Sequence, residues 1–160
     1  ADAMDWKIEL IFVPVSDVDR AKEFYTRIGF HADHDSTPYP GLRFVQLTPP
    51  GSACSIAIGT GLRDDVPTGS LDAIQVVIPD ADAALAQLRE VGVEAEGVDE
   101  QSWGRFVTFA DPDGNIIELL QQHDEASGRR RRQQIFDEGI AVPVAPGYPL
   151  IDPREKYGEA

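Results

Sequence analysis

The chain carries one supersecondary grammar twice. Residues 13–30, VPVSDVDRAKEFYTRIGF, map position by position onto residues 76–93, VVIPDADAALAQLREVGV, at a constant offset of 63 (76 − 13). Each copy runs from an apolar stretch through an Asp-x-Asp start into apolar residues at helical spacing, then ends on Gly and another apolar residue. A second pair extends the match: Arg43-Phe44-Val45 returns as Arg105-Phe106-Val107, and the turn TPPG ending at Gly51 returns as DPDG ending at Gly114. One such unit cannot bury its apolar face alone, so two copies in a short chain predict a single domain made by duplication. The seam between the halves is the natural place for a site.

Composition narrows the class. With 160 residues, 42% apolar and 26% charged, the chain suits one globular domain and has no linker long enough to separate two. The formal net charge of −14 repels nucleic-acid backbones and anionic membranes, so neither is expected as a partner. The segment from His123 onward holds 6 basic and 7 acidic residues, leaving 8 basic and 21 acidic in the body, which alone stands at −13. No basic leader with a long apolar stretch is present and no run approaches a membrane span, so a soluble, cytoplasmic protein is expected. The single Cys54, set in an apolar run, reads as a small buried hydrophobe.

Periodicity places the elements. Residues 7–15 are rich in Ile, Phe and Val and predict a largely buried strand. Ser16 then opens a helix with Asp19 in the capping-box position; Val18, Ala21, Phe24, Tyr25 and Ile28 form its apolar face, and Gly29 stops it. A strand from Phe30, a turn in TPYPG, a strand over 42–47, the turn TPPG and a strand over 53–58 complete a β-α-β-β-β unit. After a Gly-, Asp- and Pro-rich loop over 59–69 the second unit repeats the order. It has a strand over 72–78, a helix over 80–91 with Ala81, Ala84, Leu88 and Val91 inward, and strands near Val93, over 105–109 and over 115–120. The remainder begins around Arg129 to Arg132 and ends in AVPVAPGYPLIDP, where the prolines exclude a regular helix or central strand. Packing against the body or a second subunit, and an unstructured tail, both stay open for it.

The duplicated unit, the segment VPVSDVDRAKEFY and the segment FADPDGNIIELLQ over 109–121 together resemble the vicinal oxygen chelate superfamily, the glyoxalase/bleomycin-resistance/extradiol-dioxygenase group. The resemblance implies an α+β fold over residues 5–122, with repeats at about 7–60 and 71–122 whose strands curl into a mixed-sheet cup, followed by an irregular Arg- and Pro-rich extension over 123–160. Members commonly form twofold dimers. A homodimer is therefore expected, with exchange of the extension between subunits as one form of it.

In that family a metal is typically held by four side chains, one from the first and one from the last strand of each unit. Counting seven back from Asp17 and Asp80 gives Leu10 and Ala73; counting four on from Gly51 and Gly114 gives Ser55 and Glu118. A divalent cation needs about three or four nitrogen, oxygen or sulfur donors, and this set offers one carboxylate. No metal and no other cofactor are expected, and hence neither dioxygenase nor metal-dependent glyoxalase chemistry. A one-residue slip of register would instead present Glu9 or Asp72 and restore a glyoxalase-like metalloenzyme.

On the preferred facing, the cup is lined by Ile8, Leu10, Phe12, Ala53, Ser55, Ala57, Ala73, Gln75, Val77, Ile116 and Leu120, with Glu118 set among them. Such a surface suits a small apolar or aromatic molecule carrying a few hydrogen-bonding atoms. Arg43 and Arg105, as symmetry mates, are candidate guards at the mouths of the cup or rim ion pairs; Trp103, with Trp6 and Tyr39, is placed to close a pocket or cover the core. His31 and His34 read as solvated strand-edge residues, and His123 as a polar end cap. Three functions follow. The first is metal-free binding of an organic small molecule, in resistance-type sequestration or a biosynthetic accessory role. The second is a lyase, isomerase or cyclase with Glu118 as general acid or base. The third is an interaction protein with a self-filled cup.

Overall fold

The computed structural model describes residues 4–123, 142–143 and 150–151. The first repeat forms β1 (Leu10–Phe12), α1 (Val18–Arg27), β2 (His31–Tyr39), β3 (Leu42–Thr48) and β4 (Ser55–Thr60). The second forms β5 (Ile74–Val77), α2 (Ala81–Glu90), β6 (Asp99–Gln101), β7 (Gly104–Ala110) and β8 (Ile116–Gln122). Each repeat closes its own four-stranded sheet, in the orders β1-β4-β3-β2 and β5-β8-β7-β6. The first strand of each runs parallel to the last, and the other pairs are antiparallel. This is the α+β duplication that the repeat implied.

The helices begin and end by the same local chemistry. Asp17 and Asp80, both extended, cap α1 and α2 by accepting from the amides of Arg20 and Ala83 at 3.0 Å. Asp17 thus takes the cap expected of Ser16, whose hydroxyl instead reaches across the repeats to Asp113 Oδ1 at 2.5 Å. At the far ends, Gly29 and Gly92 adopt positive φ and the following amides of Phe30 and Val93 return to the carbonyls of Tyr25 and Leu88. That closure spends Val93 as a buried plug, 6% exposed. The strand expected there accordingly starts later, at β6, and is only three residues long.

The inward faces of both helices and one face of both sheets meet in a single core. Val18, Ala21, Phe24 and Tyr25 of α1 and Ala81, Leu85 and Leu88 of α2 pack with Val45, Leu47, Ile56, Ile58, Val107, Phe109 and Ile117. Leu85 rather than Ala84 carries the α2 stripe, following the 81-85-88 spacing of a helix face. The rings of Phe24 and Phe109 lie 6.2 Å apart across the halves.

A buried polar hub joins the halves within that core. Asp111, 5% exposed, accepts from the Tyr25 hydroxyl at 2.8 Å, from the amides of Asp113 and Asn115 at 2.9 Å, and from Asn115 Nδ2 at 2.9 Å. Asn115, fully buried, also donates to the Pro14 carbonyl at 2.8 Å and accepts from the Leu71 amide at 3.0 Å. Gly69 donates to the same Pro14 carbonyl at φ +74°, and a Cβ there would lie 2.0 Å from the Asp113 carbonyl oxygen. Only glycine fits that approach.

In the C-terminal segment, expected to be irregular, two-residue strands β9 (Val142–Pro143) and β10 (Leu150–Ile151) pair antiparallel. Arg129 to Arg132 lie outside the described residues. Among the described residues no helix is long and apolar enough to cross a membrane.

Two outcomes test the hub. Asp111→Ala leaves buried donors of Tyr25 and Asn115 unpaired and should lower the unfolding free energy in urea by roughly 3–5 kcal/mol. Burial, and next the neighbouring Asp111 carboxylate, push the Tyr25 phenol well above its ordinary range. A raised folded-state value means the stabilisation is whole below the unfolded value near pH ~10 and is lost as pH rises beyond it. The parent chain should therefore lose stability above that pH more steeply than Tyr25→Phe.

Candidate functional site

Alternation along each strand fixes what faces away from the core. With Val45, Leu47, Ile56 and Ile58 turned to the helices, Phe44, Gln46, Thr48, Ser55 and Ala57 form the opposite face of the first sheet. The register Leu10↔Ser55 and Phe12↔Ala57 adds β1 to it. In the second sheet Val107, Phe109 and Ile117 face the core, so Phe106, Thr108, Ile116, Glu118 and Leu120 form the free face. Gln75 stands opposite Glu118 and Val77 opposite Leu120. The preferred strand facing is the one the fold adopts, and Leu10, not Glu9, stands against Ser55.

The position assigned to Ala73 is corrected. Four residues, 13–16, separate β1 from the Asp17 cap, whereas two, 78–79, separate β5 from the Asp80 cap. Counting back from the second cap therefore overshoots by two. Ala73 precedes β5 and is exposed, and Gln75 occupies the position beside Glu118. Gln75 Nε2 donates to Glu118 Oε1 at 2.8 Å, joining two polar groups on a mostly apolar sheet face.

The arginines are also placed differently from a mouth guard. Arg43 and Arg105 share the parity of Val45 and Val107, so both lie on the helix side. Arg43 donates from Nε and Nη2 to Asp35 at 3.0 and 2.9 Å, and from Nη1 to Asp19 of α1 at 2.8 Å. Hydrogen bonds from Arg43 and then Lys22 hold the Asp35 carboxyl well below the usual carboxylate range. Arg105 donates to Glu100 at 2.7 Å and to Asp82 of α2 at 2.9 Å. Each arginine latches the first turn of its own helix to its own sheet.

Trp103 is half-buried in the β6–β7 turn, its ring 6.3 Å from Phe106, and so borders the free face of the second sheet. Trp6, Ile8 and Tyr39 are 92%, 72% and 62% exposed, and Ala53 precedes β4 on the surface. His123 Nε2 donates to the Gln101 carbonyl at 2.8 Å, as an end cap would. A pocket of about 260 Å³ opens where Phe12, Ala57 and Gly59 meet Leu62, Arg63 and Val66 of the inter-repeat loop.

Polar groups on β2 and β3 join the lining beyond those expected. Gln46 Nε2 donates to Ser55 Oγ at 3.1 Å, Thr48 and Ser55 share a hydroxyl hydrogen bond of 2.6 Å, and the Thr48 hydroxyl donates to Asp33. Gln46, Thr48, Phe106 and Thr108 could have been found by extending the alternation to the third strand of each repeat. Asp33 could not, because a register shift in β2 displaces it.

The four positions that the resemblance projects for a metal thus fall on Leu10, Ser55, Gln75 and Glu118. They offer an alkyl group, a hydroxyl already bonded to its neighbours, an amide whose nitrogen is given to the carboxylate, and that single carboxylate. This set does not fit a divalent cation. Among the described residues no group of three His, Cys, Asp or Glu side chains is placed to hold one.

Two βαβββ repeats, each closing a four-stranded mixed sheet, define the class of fold. The chain belongs to the Glyoxalase/Bleomycin resistance protein/Dioxygenase superfamily, whose family model matches residues 7–119. It is similar in structure to TnmS3, an antibiotic binding protein from Streptomyces sp. CB03234, at 36% identity over 76% of this chain and 99% of that one, with a TM-score of 0.69. A glyoxalase/bleomycin resistance protein from the same Streptomyces strain is 38% identical over 72% of this chain and 100% of its own, with a TM-score of 0.64. The uncharacterized protein YetH of Bacillus subtilis (strain 168) is 28% identical over 117 residues, which is 72% of this chain and 98% of that protein.

If the arginines are helix latches, Arg43→Ala and Arg105→Ala should each lower the melting temperature measured by circular dichroism. Neither should change affinity for a molecule held on the cup face.

Proposed function

We propose that this chain binds a small apolar or aromatic organic molecule on its cup face without a metal, in a resistance-type sequestration or biosynthetic accessory role in the cytoplasm. One observation carries the reading: the positions that would grip a cation present Leu10, a hydrogen-bonded Ser55 and a Gln75–Glu118 pair, while Phe12, Ala57, Phe106, Ile116 and Leu120 supply apolar surface around them. Apolar area gives affinity and the few oxygens give orientation. The 36% identity to a protein described as antibiotic binding supports the same class of ligand.

The functional unit is a homodimer. One chain packs the helix-side faces of its two sheets into a common core, leaving cup-face residues open at the β1 and β5 edges, with Phe12 42% and Val77 37% exposed. A second copy covers these edges and completes the cup. Exchange of the C-terminal extension between subunits remains part of this proposal.

Elemental analysis and native mass spectrometry test it together. The expected result is a dimer with substoichiometric zinc, manganese, iron and nickel; one bound transition metal per chain overturns metal independence, and a monomer overturns the shared cup. Replacing Phe12 by Ala should weaken binding of an apolar ligand by about 10- to 100-fold, the loss expected for removing a buried aromatic contact, read by calorimetric titration.

A second reading keeps Glu118 as a general acid or base of a lyase, isomerase or cyclase. It is favoured by the second Glu118 oxygen, which has no protein partner among the described residues while the first is tied to Gln75. Under it, Glu118→Gln abolishes turnover of a bound substrate and leaves its affinity nearly intact; under sequestration the parent chain alters no ligand that it binds.

A further inference from the structure

The hydroxyl chain on the first sheet has one permitted direction, and Asp33 sets it. Asp33 is the extra residue where the β2–β3 register jumps from Ala32↔Leu47 to His34↔Gln46. Such bulges re-aim a side chain, and here the Asp33 carboxylate lies against the cup-face hydroxyl of Thr48. His31 Nδ1 bonds its other oxygen at 2.9 Å. Hydrogen bonds from Thr48 and then His31 hold the carboxyl below its usual range, so it is ionised near neutrality and can only accept.

The rest follows from counting protons. Thr48 has one hydroxyl hydrogen and gives it to Asp33, so in its 2.6 Å contact with Ser55 it must accept. Ser55 thereby spends its own hydrogen and can only accept from Gln46, at 3.1 Å. Gln46 must turn its NH₂ to Ser55, and its carbonyl oxygen, with the one amide N–H that Ser55 does not take, is left as the polar end of the chain. This orientation depends on the charge of Asp33 and not on how the amide was assigned. The second sheet ends alike: Gln75 gives one amide N–H to Glu118, leaving an amide oxygen, a carboxylate oxygen and one N–H, so that acceptor sites outnumber donors.

We propose that the Asp33–Thr48–Ser55–Gln46 chain makes the cup face mainly a hydrogen-bond acceptor surface, favouring aromatic ligands that bring phenolic, alcoholic or amine donors over those that bring acceptors alone. The inference rests on the cup reading above and names its ligand class. Asp33 and Thr48 act as specificity-determining residues through the direction they impose on Gln46. An acceptor-only ligand could pair with the two remaining amide N–H groups but would leave the oxygens of Gln46, Gln75 and Glu118 facing lone pairs, without the hydration they had in the free protein.

Calorimetric titration with 2,3-dihydroxynaphthalene and its 2,3-dimethoxy analogue tests this. These share a ring and differ in donors. The full chain should bind the dihydroxy compound about tenfold more tightly, as expected for one to two well-made hydrogen bonds. Thr48→Val, which breaks the chain, and Asp33→Asn, which lets the direction reverse, should bring the two affinities together chiefly by weakening the dihydroxy compound. Thr48→Ser, which keeps the hydroxyl, should retain the preference. Should Thr48→Val fail to fold, the solvent-facing Asp33→Asn carries the same comparison. Equal binding of both probes by the parent chain, or a preference that survives in both disruptive variants, overturns the acceptor assignment and leaves the cup reading standing. Binding of neither probe overturns the cup reading and this inference with it.

Discussion

The arrangement depends on one buried carboxylate. Asp111 accepts four hydrogen bonds, and Asn115 beside it ties the first-repeat carbonyl of Pro14 to the second-repeat amide of Leu71. A charge in a core is costly unless its acceptor sites are filled; here they are filled by groups from both repeats. The sheets hold their relative position because the alternative is an unsolvated anion. The hub lies in the DPDG turn that the second repeat carries where the first carries TPPG, so the duplication kept the turn and specialised one copy as the fastening. Tyr25 reaches that turn from α1, which fixes the first helix against the second sheet.

Burying the helix-side faces in one shared core leaves the opposite faces for function. On the first sheet the free face mixes Leu10, Phe12 and Ala57 with the hydroxyls of Thr48 and Ser55; on the second it mixes Val77, Ile116 and Leu120 with the Gln75–Glu118 pair. The charged latches Arg43 and Arg105 sit behind the sheets with Asp19 and Asp82. The charges of Arg43 and Arg105 are thereby kept off the lining.

Much of this was legible in the sequence because it rests on spacing. Helix stripes, Gly stops, the two-fold βαβββ order and the inward parity of Leu10 and Phe12 all follow from periods of 3.6 and 2. What was not legible rests on lengths and on long-range partners. The cap moved from Ser16 to Asp17 because Ser16 found Asp113, 97 positions away. Ala73 was misplaced because a loop shortened by two residues leaves facing intact while shifting the count from the cap. For Arg43 and Arg105 symmetry left a mouth guard and a rim ion pair equally open, because it fixes equivalence but not the side of the sheet; both form ion pairs. Asp33 stayed hidden because a bulge breaks the alternation on which any parity count depends.

The connections before the two caps are unequal, 13–16 in one repeat and 78–79 in the other, and how the fold accommodates them carries a consequence for whatever is held. The two-residue difference is absorbed in the loops, since β1 stands against β4 and β5 against β8 in matching registers. Equivalent places therefore carry different groups: Leu10 meets Ser55 on one wall where Gln75 meets Glu118 on the other. Even a guest with mirror-image ends would find hydroxyls on one wall and a carboxylate on the other, and would settle with one end preferred.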